Sequence, residues 1–122
     1  MGRVLGLGGV FFKSKNPAAL AQWYRTHLHL PINGEAAELR GFDDGRAVNV
    51  WAVFDEASDY FEPTNAPFMI NFRVDDIDGL LERLASEDVW IDERREDHEY
   101  GRFAWIQDLD GNRVELWEPP AP

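Results

Sequence analysis

The chain repeats itself, and that duplication limits its folds more than any single motif does. Gly9-Val10-Phe11-Phe12-Lys13 lies over Met69-Ile70-Asn71-Phe72-Arg73 at a shift of 60, with Asn16-Pro17 over Asp76-Ile77 and Leu20 over Leu80 in the same register. A second echo sets Gly45-Arg46-Ala47-Val48-Asn49-Val50-Trp51 against Gly111-Asn112-Arg113-Val114-Glu115-Leu116-Trp117 at a shift of 66, so one short insertion separates the halves. Two copies are too few for a solenoid, where three or more units stack to bury a continuous core. Two similar modules packed as one domain are expected instead. Where the modules differ chemically, function is to be sought, and the sharpest contrast is Asn49 against Glu115.

Each module reads β-α-β-β-β. In the first, Leu7 to Lys13 alternates as a strand. Asn16 caps a helix with Pro17 at its first position, and Leu20, Trp23, Tyr24, His27 and Leu28 form its stripe. Strands follow over Ala36 to Phe42 and Arg46 to Phe54, joined by an Asp43-Asp44-Gly45 turn. In the second, Met69 to Val74 is a strand and Asp76 caps a helix with Ile77, Leu80, Leu81 and Leu84 on one face. Strands are expected near Val89 to Asp92, Arg102 to Gln107 and Asn112 to Trp117, with Glu93 to Glu99 a solvated acidic loop around His98. Module one thus spans about 5–54, a polar connection 55–67 is anchored by Tyr60 and Phe61, and module two spans about 68–118 of a single domain, 1–122.

Absence of cysteine removes disulfides and thiolate metal sites, and no signal peptide or long apolar run is present, so a soluble cytoplasmic protein is expected. A formal charge of −11 repels phosphate backbones and anionic lipid, which argues against nucleic acid or a membrane as partner.

Alternation assigns faces. The even positions Val10, Phe12, Val48, Val50, Ile70, Phe72, Val114 and Leu116 are apolar and are expected to pack on the helices. The odd face is mixed: Phe11, Lys13, Asn49, Trp51, Met69, Asn71, Arg73, Phe103, Trp105, Gln107 and Trp117, with Arg113 and Glu115 beside them. So many aromatics make too large a patch for an ordinary solvent-facing sheet, which points to a concave ligand site or a subunit interface. Glu115 among tryptophans loses solvation, so it needs a partner, for which Lys13, Arg73 and Arg113 are candidates, or it serves as a base. Lys13 and Arg73 are equivalents under the repeat and are placed to flank an anionic ligand. Asp75, Asp76 and Asp78 read as helix-start acids.

The paired modules, the opening Gly8-Gly9-Val10-Phe11-Phe12 with Asn16 and Ala21-Gln22-Trp23-Tyr24, and the closing Asp108-Leu109-Asp110-Gly111-Asn112-Arg113-Val114-Glu115-Leu116 together resemble the vicinal oxygen chelate superfamily. It includes glyoxalase I, the bleomycin and fosfomycin resistance proteins and the extradiol dioxygenases. The closing motif departs from the family pattern at Leu109, where proline is usual. The resemblance implies an α+β fold whose curved mixed sheets form a cup with the helices outside. It also implies metal ligands from the first and last strands of each module, positions held here by Gly9, Asn49, Met69 and Glu115. Glycine offers no donor, Asn49 a weak carbonyl and Met69 a soft thioether, so no cofactor is expected, with a divalent metal as the alternative.

Three functions follow. The first is a metal-free binding protein of the bleomycin-resistance kind, holding an aromatic or amphipathic small molecule among Trp51, Trp105 and Trp117. The second is a lyase- or isomerase-type enzyme with Glu115 as base, and the third is an interaction module whose aromatic face is a dimer seam. A homodimer is expected, since the superfamily completes its cups by pairing modules within or between chains.

Overall fold

The computed structural model describes residues 2–40 and 48–121. The Asp43-Asp44-Gly45 turn and the ends of its two flanking strands, up to Ala47, lie outside the described residues. Among the described residues nine elements occur: β1 (Val4–Ser14), α1 (Pro17–Leu28), β2 (Ala36–Arg40), β3 (Val48–Asp55), β4 (Phe68–Val74), α2 (Ile77–Ser86), β5 (Glu96–His98), β6 (Gly101–Gln107) and β7 (Arg113–Glu118). They fall into two compact units, Gly9–Met69 and Met1–Gly8 with Ile70–Pro122, whose boundaries cut through β1 and β4.

In the unit Gly9–Met69, β1 and β3 pair in parallel with Gly9 opposite Val50 and Phe12 opposite Val53, and β2 pairs antiparallel on the far side of β3. A bridge between Asn33 and Ala36 precedes β2. Helix α1 begins where Asn16 Oδ1 accepts from Ala19 N at 3.1 Å and ends at His29, which takes the left-handed conformation at φ 55°. Its buried contact is Ala21, flanked by Leu20 and Tyr24. Trp23 and Leu28, two members of the expected stripe, are exposed. The helix has turned so that its smallest apolar residue meets the sheet, and Trp23 instead covers Tyr24 and His27 with ring centroids 5.3 and 4.9 Å away. The Tyr60-Phe61 anchor is present: Phe61 is fully buried against Phe54 at 5.2 Å, and Tyr60 stacks on Phe54 at 5.2 Å.

In the other unit, β4 pairs parallel with β7, and β7, β6 and β5 continue antiparallel. Helix α2 is capped by Asp76, whose Oδ1 accepts from Gly79 N at 3.1 Å, while Glu118 Oε1 accepts from Ile77 N at 2.7 Å. Ile77, Leu80 and Leu81 pack on Val74, Ala104, Val114 and Leu116, the even face the sequence assigns to the helix. Two details differ from the sequence reading. Val89 to Asp92 contributes a single bridge, Ile91 to Ile106, and the expected acidic loop supplies β5, because Glu96 and His98 pair with Phe103 and Gly101 across a tight hairpin. No helix among the described residues is long and apolar enough to cross a membrane.

Close strand approach at Gly9 sets a strict test. A Cβ there would fall 2.2 Å from the Val50 carbonyl oxygen, which is backbone and has little room to yield. Gly9→Ala is expected to cost at least about 2 kcal/mol of stability in urea denaturation, as overpacking does. Gly34→Ala, with φ +72° and open space around it, is expected to cost about 1 kcal/mol from backbone strain alone.

Candidate functional site

The odd face of β4, β6 and β7 carries a buried polar row. Register sets Asn71 opposite Glu115 and Trp105 opposite Glu115, so the three side chains share one face on neighbouring strands. Glu115 is 1% exposed and its carboxylate accepts from Asn71 Nδ2 at 2.5 Å and Trp105 Nε1 at 3.0 Å. An unsatisfied acid buried here would be costly, and the two N–H donors meet that need in part. Trp105 is itself fully buried and its indole N–H needs an acceptor. Gly8 completes the arrangement. A Cβ at Gly8 would lie 1.9 Å from Asn71 Oδ1 and 3.0 Å from Trp117 Cε3, so a bare backbone is required for the amide to reach Glu115. Asn71 Oδ1, packed against that backbone, has no hydrogen-bond partner.

The next row out is aromatic and half-buried. Phe103 faces Trp117 across β6 and β7, with the rings stacked at 6.2 Å and 7°. Trp117 Nε1 donates to the Tyr100 carbonyl at 2.8 Å. His98 and Tyr100 stack on each other at 4.8 Å and both meet Phe103 edge-on. His98 and Tyr100 are additions that sequence reasoning missed, because the stretch carrying them was read as a loop. A period-two reading of Glu96 and His98 would have found that pair. Arg73 lies opposite Trp117, and Glu96 lies opposite Phe103. A hydrogen bond from the His98 ring and the Arg94 guanidinium hold the Glu96 carboxyl below its ordinary range.

Arg113 is 3% exposed and has a partner of its own. Its Nη1 donates to Asp92 Oδ2 at 2.9 Å and its guanidinium lies 5.2 Å from the Trp105 ring centre. Gln107 is half-buried opposite Arg113 in register. The backbone N–H of Arg94, and then Arg113, hold the Asp92 carboxyl below its ordinary range.

The unit Gly9–Met69 differs from the sequence reading in β3. Since Gly9 pairs with Val50 and Val10 with Trp51, the odd residues of β3 share the face of Val10 and Phe12. Trp51 is buried against Phe12 at 5.3 Å and Tyr24 at 4.7 Å, in the cluster that holds Ala21, so it belongs to the helix side. Asn49 shares that side by alternation, and Val48 and Val50 take the other. Phe11 is buried and meets Phe54 at 5.7 Å, Lys13 Nζ stands 5.3 Å from the centre of the Phe61 ring, and Met69 is fully buried. Phe11 faces Ala52 as Asn71 faces Glu115, so the structural counterpart of Glu115 is Ala52, a shift of 63.

A family model described as the Glyoxalase/Bleomycin resistance protein/Dioxygenase superfamily matches residues 8–116. The chain belongs to that superfamily. No curated protein matches it. Among solved structures it is similar to methylmalonyl-CoA epimerase from Mycobacterium tuberculosis, at 24% identity and a TM-score of 0.69, over 97% of this chain and 90% of that one. A Streptomyces coelicolor methylmalonyl-CoA epimerase in complex with 2-nitronate-propionyl-CoA is similar at 11% identity and a TM-score of 0.75, over 98% and 100%. A superfamily member from Vibrio splendidus 12B01 has 12% identity and a TM-score of 0.59, over 97% and 99%. Identities this low carry the α+β fold of the superfamily and no activity.

The superfamily's divalent metal is a poor fit to the residues present. Gly9 has no side chain and no room for one, its β3 neighbour is Val50, Asn49 faces the helix side, and Met69 is a soft donor. Glu115 is the one hard donor of the four, and its carboxylate is engaged by Asn71 and Trp105.

The Arg113–Asp92 pair yields a pH prediction. A carboxyl whose folded pKa is depressed contributes stability that is present above its unfolded pKa, near 3.8, and lost as pH falls through the folded value. Wild-type stability is therefore expected to fall between about pH 5 and pH 3 more steeply than that of Asp92→Asn. At neutral pH, Asp92→Asn is expected to cost about 3 kcal/mol, since it strips a buried guanidinium of its counter-charge. Urea midpoints at several pH values check both.

Proposed function

We propose that this superfamily member binds a small aromatic or amphipathic molecule against the Phe103–Trp117 stack and works without a bound divalent metal. The observation that carries the reading is the engagement of Glu115 by Asn71 and Trp105, with no second hard donor among Gly9, Ala52 and Met69. Trp105 then supports the site from beneath, and Trp51 belongs to the core. The half-buried stack, edged by Tyr100 and His98, is the surface on which a planar ligand finds π-contacts. We further propose that the protein is a homodimer, in keeping with an incompletely covered aromatic face on a small unit.

Elemental analysis of the purified protein is expected to find well below one equivalent of metal per chain. Stoichiometric zinc, nickel, manganese or iron retained through gel filtration would overturn the reading. Trp117→Ala is expected to weaken binding of an aromatic ligand by about 1–3 kcal/mol in calorimetric titration. A light-scattering mass of one chain at micromolar concentration would remove the dimer.

A second reading is an isomerase-type enzyme with Glu115 as the base. It is supported by a buried carboxylate on the last strand of a fold shared with methylmalonyl-CoA epimerases. Glu115→Gln separates the two. A base is expected to lose about two to four orders of magnitude in turnover, read as deuterium exchange from solvent into an α-acidic thioester, while a binding protein shows no exchange with either form.

A further inference from the structure

We infer that Arg73 is the anion-recognition residue of this face and that the ligand is a planar aromatic monocarboxylate. The inference rests on the aromatic-binding reading and adds the ligand's charge and orientation. The sequence holds 23 acidic side chains against 12 lysines and arginines, so a carboxylate is seldom far from any guanidinium. Arg3, Arg94, Arg95, Arg102 and Arg113 each lie against one. Arg25 and Arg83 donate to a side-chain or backbone oxygen. Arg40 pairs with Glu38. Among the described arginines Arg73 is the exception: it is half-buried and makes neither an ion pair nor a hydrogen bond. A half-buried guanidinium without an acid of its own has N–H donors free for an acceptor from outside the fold.

Its surroundings indicate which acceptor. In register Arg73 stands beside Trp117, one strand spacing or about 5 Å away, and the Phe103–Trp117 stack continues the same row. A ligand with its ring over the stack and a carboxylate at the ring's edge would run along this row toward Arg73. Gly6 gives the guanidinium room on the β1 side, since a Cβ there would lie 3.3 Å from an Arg73 terminal nitrogen. At the far end of the row Glu96 is committed to His98 and Arg94, so the row has one open cation and no open acid. That polarity directs the carboxylate to the β4 end. One guanidinium in a chain of charge −11 matches one negative charge, which favours a carboxylate over a dianionic phosphate.

The test is calorimetric titration of the full chain with 2-naphthoate and its neutral isostere 2-naphthamide. Wild type is expected to bind naphthoate about tenfold more tightly or better, the effect of a hydrogen bond to a charged group. Arg73→Gln is expected to bring the two affinities within about twofold while leaving that for naphthamide unchanged. If wild type binds both equally, or the preference survives in Arg73→Gln, the inference fails and the aromatic-binding reading stands. If wild type binds neither compound, both fail together. Should Arg73→Gln not fold by circular dichroism, a chloride series on wild type decides: naphthoate affinity alone is expected to fall with salt, and parallel behaviour of the two compounds overturns the role of Arg73.

Discussion

A carboxylate with almost no solvent contact is the most demanding group in this structure, and its neighbours follow from it. Glu115 is held by N–H groups from two different strands, and each of those groups is conditional on something else. Trp105 is buried to the last atom and needs an acceptor for its indole nitrogen, so carboxylate and indole satisfy each other. Asn71 reaches the acid only because Gly8 presents no side chain, and the same gap accommodates Trp117. Removing any one member strands another in a region where water does not compensate. A buried polar network of this kind specifies strand register more strictly than apolar packing does, because a slip of one residue turns every donor away.

Register is also where the sequence stopped being readable. In β4, β6 and β7 alternation alone assigned the helix face correctly, down to Val114, Leu116 and Phe72. In β3 the same alternation was present but its phase was taken from the echo between Trp51 and Trp117. Pairing follows a different rule, in which Gly9 meets Val50 and Phe11 meets Ala52, so the two tryptophans are not counterparts. One packs with Phe12 and Tyr24 beneath α1, and the other stacks on Phe103. Because the side-chain period of a strand is two, an odd shift of three between the echo and the true register reverses the face completely. No local signal in residues 45–51 carries that information. It resides in the approach of Gly9 to the Val50 backbone, a long-range contact. The α1 stripe held at Leu20 and Tyr24 and failed at Trp23 and Leu28, since the helix is rotated to bring Ala21 closest to its sheet.

Duplication gave the two units the same strands but not the same chemistry. Where one unit sets Asn71 beside Glu115, the other sets Phe11 beside Ala52 and fills the region with Phe54, Tyr60 and Phe61. A chelating site needs hard donors from both modules, and on the proposed reading this chain has kept a single acid and turned it into a structural and polar centre. Membership of the superfamily therefore constrains the backbone far more than the reaction.

Electrostatics on the Phe103–Trp117 row is decided locally, because a net charge of −11 spread over a surface is screened beyond about 8 Å at physiological salt. Within that range two acids are committed to cations: Glu96 to His98 and Arg94, and Asp92 to Arg113 and the Arg94 backbone. Their lowered pKa values mean that these carboxylates remain ionised and paired at neutral pH, so each cancels a nearby cation and adds little field of its own. What is left over is the cation with no partner in the fold. On the proposed reading, an anion meeting this face is drawn by Arg73 at short range, within a Debye length, despite the sign of the whole molecule.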